Sequence, residues 1–145
     1  MCIRDRAMFL QVAAERGFAR PLAVGDRLDT DIQGAVAAGV PALHVLTGVS
    51  GPLALLEAPE EQRPTYIAED LRALGQEPEA LRPGPQGGFG ARVDGKDIIL
   101  SHGREGATSV EALRTVLQVA WAMDTPPELV RPNSDAAEAA TAEWW

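Results

Sequence analysis

Residues 21–50 read PLAVGDRLDTDIQGAVAAGVPALHVLTGVS, and this stretch decides the fold. Pro21–Val24 is a short apolar run closed by Gly25, which predicts a fully buried strand of the parallel-sheet kind. Three acids, Asp26, Asp29 and Asp31, follow within six residues. Ile32, Ala35 and Val36 then fall at helical spacing, with Thr30 or Asp31 placed to cap the first turn and Gly39 and Pro41 to stop the last. Leu43–Leu46 reads as a second buried strand. In an open parallel sheet built from such strand–helix–strand units, ligands bind at the carboxyl ends of the strands. The acids lie at that edge.

Working outward, Ala7–Gly17 carries an apolar stripe of Met8, Phe9, Val12 and Ala13, which predicts a helix feeding the Pro21 strand. A helix entering a parallel strand implies an earlier strand, so the chain reads as beginning partway through a larger domain. Residues 1–6 show no periodicity and read as a non-native start. Downstream, Gly51-Pro52 opens a short helix through Glu57. Thr65–Ile67 reads as a third short parallel strand, and Asp70–Leu74 as a last helical turn before Gly75. Residues 78–88, with three prolines and three glycines, read as a linker and the domain boundary.

Beyond it, residues 90–100 (GARVDGKDIIL) place Asp94-Gly95 between two runs rich in Val and Ile, a hairpin signal. Ser109 then precedes a helix with Leu113, Leu117, Ala120 and Trp121 on one side, widened by Val110, Val116 and Val119. Residues 125–145, with three prolines and an Ala/Glu run, read as a flexible tail whose Trp144 and Trp145 are an unpacked end or an anchor for a partner. The expected organisation is α/β over residues 7–77, a linker over 78–88, a small α+β appendage of hairpin plus long helix over 89–124, and the tail.

A chain of 145 residues that is 46% hydrophobic can bury one sizeable core. The net charge of −8 and a pI near 4.7 argue against nucleic acid or an anionic membrane surface as a general partner. The single cysteine, Cys2, excludes an internal disulfide framework, and no apolar run is long enough to span a membrane. The default compartment is the cytoplasm.

One aspartate at a helix start only caps amides and complements the helix dipole. Three together repel one another unless a proton or a cation intervenes, and a hard divalent cation with oxygen ligands answers that repulsion. A calcium loop matches at its first, third, fifth and sixth positions through Asp29, Asp31, Gln33 and Gly34, but its twelfth position is Val40, where a bidentate glutamate belongs. Magnesium, held by one or two carboxylates with several waters, fits the sparser set. His44 lies in an apolar strand and reads as a packed core histidine, while His102 has no Cys or His partner at metal spacing.

The run Val24–Ile32 (VGDRLDTDI), with Gly34-Ala35, Ala38-Gly39 and Val45–Ser50 (VLTGVS), resembles the fourth motif of haloacid dehalogenase (HAD)-like phosphatases. More narrowly it is similar to the subclass of nitrophenyl, phosphoglycolate and glycerol-phosphate phosphatases. The resemblance covers residues 7–74. It implies the C-terminal half of a Rossmann-like parallel-sheet core and hydrolysis of a small phosphorylated metabolite through an aspartyl-phosphate with Mg²⁺. It also implies that Asp26 is a metal ligand and Asp31 a supporting acid, with Asp29 and Arg27 in surface or capping roles and Thr47 and Gly48 near the rim. A homodimer stays open.

The departures bear on activity. The family's Asp-x-Asp-Gly nucleophile motif is not in the sequence, and the one lysine is Lys96, far from the acids. The cap that selects substrate is also missing, so this chain alone is expected to be inactive. A non-catalytic metal-binding or protein-interaction module of α/β fold is the alternative. The region after residue 88 resembles, more weakly, the extension carried by actinobacterial members and related to acetyltransferase folds. There Gly103–Gly106 before a helix reads as an ordinary glycine loop or as a phosphate cradle.

Overall fold

The computed structural model describes residues 22–46, 50–142 and 144. The expected helix over 7–17, the start over 1–6, Thr47, Gly48 and Trp145 lie outside them. Two compact units divide the chain at Leu81/Arg82.

In the first unit, strands β1 (Ala23–Gly25), β2 (Ala42–Val45) and β3 (Tyr66–Ala68) form a parallel sheet in the order β1-β2-β3. The α/β reading with a parallel sheet holds here. All four residues of β2 are buried, as a central strand covered on both faces requires, and this is why its sequence runs apolar without alternation. The register sets Val24 beside Leu43 and Gly25 beside His44, then His44 beside Ile67. Gly25 therefore belongs to β1 and places Asp26 immediately after the strand.

The connection from β1 to β2 differs from the expected capped helix. Residues Leu28–Ile32 form a wide, π-type turn in which the Ile32 N–H donates to the Arg27 carbonyl at 3.2 Å. It runs directly into helix α1 (Gln33–Ala37). Arg27 precedes the turn with no side-chain cap, so neither Thr30 nor Asp31 caps anything; both sit inside the turn. Leu28, Ile32 and Ala35 are buried, whereas Val36 is 38% exposed, because the wide turn rotates the apolar stripe away from Val36. Wide turns of this kind are rare and cluster at functional sites.

Helix α2 (Pro52–Glu57) has proline in its first turn, where the missing N–H costs nothing. Residues 78–88 do not behave as a loose linker. Pro78–Leu81 make a tight helical turn, and Leu81 packs in the first unit's core with Leu43, Val45 and Ala68. From the second unit, the Gly84 N–H donates to the Arg114 carbonyl and the Gln86 N–H to Thr115 Oγ1.

The second unit holds strands β4 (Phe89–Asp94) and β5 (Asp97–His102), helix α3 (Ser109–Ala120), strand β6 (Val130–Pro132) and helix α4 (Asp135–Thr141). β4 and β5 pair antiparallel with Asp94 opposite Asp97. The two-residue turn is thus Gly95-Lys96, one residue later than expected. Gly95 takes φ 65° at its first position, which glycine adopts without strain. Thr108 and Glu111 form a reciprocal cap at the start of α3.

The expected flexible tail is folded. β6 adds to β5 in parallel, with Val130 beside Ile98. Ser134 caps α4 by accepting from the Ala137 N–H. Trp144 is 4% exposed, and its Nε1 donates to Ser109 Oγ, whose hydroxyl donates in turn to the Ala140 carbonyl. Short β6 and the alanine face of α4 are weak signals alone; apolar β5 and α3 supply the surface that orders them. Truncating Trp144 should therefore undo the tail. Trp144→Ala is expected to cost about 3 kcal/mol and to abolish slow hydrogen exchange at the α4 amides, measured by exchange mass spectrometry.

Candidate functional site

The acids are assembled by the close approach of the turn to the strand. A Cβ built on Gly25 would lie 2.3 Å from Asp31 Cβ and 2.7 Å from its Oδ2. The Asp31 side chain therefore rests directly over the end of β1, on the residue that precedes Asp26. Only a residue without a side chain permits this contact. Asp26 and Asp31 are both partly buried. Among the described residues neither carboxylate has a hydrogen-bond or ion-pair partner.

Asp29 is different. Arg27 Nε donates to Asp29 Oδ1 at 3.1 Å and Nη2 to Oδ2 at 3.3 Å. That hydrogen bond, and then the guanidinium charge, hold the Asp29 carboxyl below its ordinary range. The two side chains are 49% and 58% exposed, so the pair contributes little to stability. It does remove Asp29 from the set of free oxygen donors. The surface role expected of Arg27 and Asp29 agrees with this pairing.

Two residues not singled out for the site complete it. Ser50 returns the chain from β2 to the acidic loop: its N–H donates to the Asp26 carbonyl at 3.0 Å, and its Oγ accepts from the Leu28 N–H at 3.2 Å. The Ser50 carbonyl accepts from His44 Nε2 at 2.8 Å. His44 is fully buried. Burial lowers its pKa below the ordinary 6.5, outweighing the Ser50 carbonyl and the Asp26 and Asp31 charges, which raise it. The ring is thus neutral with its proton on Nε2, and Nδ1 has no partner among the described residues. The one polar residue in an otherwise apolar strand was the available signal; Ser50 carried none without the register.

An open cavity of about 330 Å³ flanks the loop on the side of Arg27, Asp29, Ser50, Glu57, Pro59 and Gln62. Neither Asp26 nor Asp31 lines it. In the second unit, the Gly103–Gly106 loop precedes a helix start that is already satisfied: the Glu111 carboxylate accepts from the Thr108 N–H at 3.0 Å, and Arg104 Nη2 lies 3.5 Å from it. The protein's own carboxylate takes the place an anion would need.

The donor set suits a hard cation. Asp26 and Asp31 offer unpartnered carboxylate oxygens, His44 has committed Nε2, and no cluster of three His, Cys, Asp or Glu occurs among the described residues. Such a site leaves most positions to water and substrate, as magnesium prefers, and lacks the ligand count of a calcium cage.

Residues 5–74 match the HAD-hydrolase-like family. They belong to it. D-glycerol 3-phosphate phosphatase of Mycobacterium tuberculosis is 36% identical over 149 aligned residues, covering 95% of this chain and 42% of that protein. Among solved structures, glycerol phosphate phosphatase of the same organism in complex with magnesium superposes with a TM-score of 0.79 at 36% identity, over 95% of this chain and 41% of that one. Its complex with calcium gives 0.77 at 34% identity, over 92% and 40%. This chain thus spans about two-fifths of the length of these relatives. No helix among the described residues is long and apolar enough to cross a membrane.

Two outcomes follow for the HAD-like segment. Gly25→Ala should cost about 1–3 kcal/mol through overpacking, and much less in an Asp31→Gly background, a coupling measurable as a double-mutant cycle in urea. Because the folded-state pKa of His44 is depressed, its contribution is complete above the unfolded value near 6.5 and is lost as pH falls through the folded value. Stability against urea should drop with acidification from pH 6.5, and His44→Gln should flatten that part of the profile.

Proposed function

We propose that this chain supplies the metal-binding half of a Mg²⁺-dependent phosphomonoesterase whose substrate is a small phosphorylated polyol of the glycerol phosphate kind. The single observation that carries the reading is Asp31 packed on the side-chain-free Gly25 at the end of β1, with Asp26 the next residue after that glycine and both carboxylates unpartnered among the described residues. The magnesium complex of the relative supports the choice of cation, and the relative's activity supports the substrate class.

In this reading Asp26 holds the metal, and Asp31 supports the site with a second negative charge. Bound Mg²⁺ neutralises charge on the phosphoryl oxygens. The β2 residues paired with the end of β1, Leu43 and His44, are fully buried, and a carboxylate partly withdrawn from water acts on a cation with a stronger field than one in bulk solvent. The Arg27–Asp29 pair stands outside the metal site. The aspartyl-phosphate route of the family needs a nucleophile in an Asp-x-Asp-Gly motif and a lysine close by, and neither occurs near the acids in these 145 residues. The chain therefore binds metal but does not turn over by itself.

The test uses the purified 145-residue chain. No Mg²⁺-dependent hydrolysis of nitrophenyl phosphate is expected, and Mn²⁺, followed by paramagnetic broadening of amide resonances, should broaden Asp26 and its neighbours first. Asp26→Asn should weaken that uptake at least tenfold, while Asp29→Asn leaves it unchanged. Hydrolysis abolished by Asp26→Ala would overturn the half-site reading; equal loss from Asp29→Asn would overturn the assignment of ligands.

A further inference from the structure

The turn that follows Asp26 has no side-chain cap of its own. Arg27 caps nothing, and the wide turn that follows leaves the N–H groups at its start without the partners an ordinary first turn finds in a side-chain cap. Ser50 takes that role from a distance of 22 residues: its hydroxyl accepts the Leu28 N–H, and its own N–H meets the Asp26 carbonyl. The two bonds flank Arg27 on the chain and restrict the two peptide groups that follow Asp26.

Ser50 is itself fixed by His44. The imidazole stands in β2 directly beside Gly25, is fully buried and donates to the Ser50 carbonyl at 2.8 Å. Burying an imidazole with one nitrogen unpartnered opposes folding, and a leucine would fill a β2 position at no such cost. The only polar interaction the ring makes among the described residues is with Ser50. A buried polar residue retained for one hydrogen bond is explained by what that bond places.

We infer that Ser50 and His44 are positioning residues for the metal ligand: the His44 Nε2–Ser50 carbonyl bond and the two Ser50 bonds to Asp26 and Leu28 hold the Asp26 carboxylate in its metal-binding orientation. This rests on the metal reading above and adds the residues that make the site competent. They touch neither metal nor substrate. Their effect passes through the backbone of residues 26–28, in the way that partners of metal ligands tune affinity by roughly 10- to 100-fold.

The experiment measures Mn²⁺ dissociation constants of the 145-residue chain by paramagnetic broadening, with urea unfolding of each variant alongside. Ser50→Ala, which removes the Oγ acceptor and leaves the backbone bonds, should weaken Mn²⁺ binding about tenfold. Ser50→Thr, which restores the hydroxyl, should recover it. His44→Gln, which keeps a donor near the Nε2 position, should bind within threefold of wild type, and His44→Leu should bind at least tenfold more weakly while remaining at least as stable as His44→Gln. Wild-type binding with Ser50→Ala unchanged overturns the clamp and leaves the metal reading standing. Equal weakening by Ser50→Ala and Ser50→Thr also overturns it, since packing alone would then account for the loss. If His44→Leu does not fold, the Ser50 pair decides the question. A wild-type chain that takes up no Mn²⁺ overturns the metal reading, and the clamp's role falls with it.

Discussion

A missing side chain at the end of a strand is the constraint on which this site depends. Gly25 lies within van der Waals reach of Asp31 only because it has no Cβ; any other residue would overlap the Asp31 side chain by more than an ångström. That contact brings the far end of a wide helical turn back over the strand it left, and so sets Asp31 against the residue that precedes Asp26, although the two acids are five residues apart in sequence.

The second device is the return of the chain after β2. Parallel register puts His44 beside Gly25, and Ser50, beyond β2 in the chain, lies against the loop that left β1. The carboxyl ends of two neighbouring strands are thus tied to each other through one serine. This gives physical content to the general rule that ligands of open parallel sheets bind at strand carboxyl ends: loops there come from adjacent strands running the same way, so one loop can brace its neighbour.

The second unit follows another logic. A hairpin with a glycine turn and a helix with a reciprocal cap are both set by local chemistry, and together they bury Ile98, Leu100, Leu113 and Leu117 completely. That surface recruits a three-residue strand and an alanine-rich helix, elements too short to persist by themselves. Its glycine loop, open to reading as an anion cradle, is closed by the protein's own Glu111.

The parallel strands and the acids at their edge were legible in the sequence, because buried strands need continuous apolar runs and a loop of three aspartates stands out beside them. The expectation of Asp26 as ligand and Asp29 as bystander came from the resemblance to a family motif, and the Arg27–Asp29 pair is consistent with the second. Hidden from sequence were the wide turn, the packing of residues 78–88 and the folded tail. Each depends on partners distant in the chain: Leu81 on Leu43 and Ala68, Val130 on Ile98, Trp144 on Ser109. Local pattern determined which residues could bear charge and which could be buried. Tertiary structure alone decided which charges meet, because the contact of Asp31 with Gly25 and the bonds of Ser50 arise only when strands pair in register and bring separated backbones within a few ångströms.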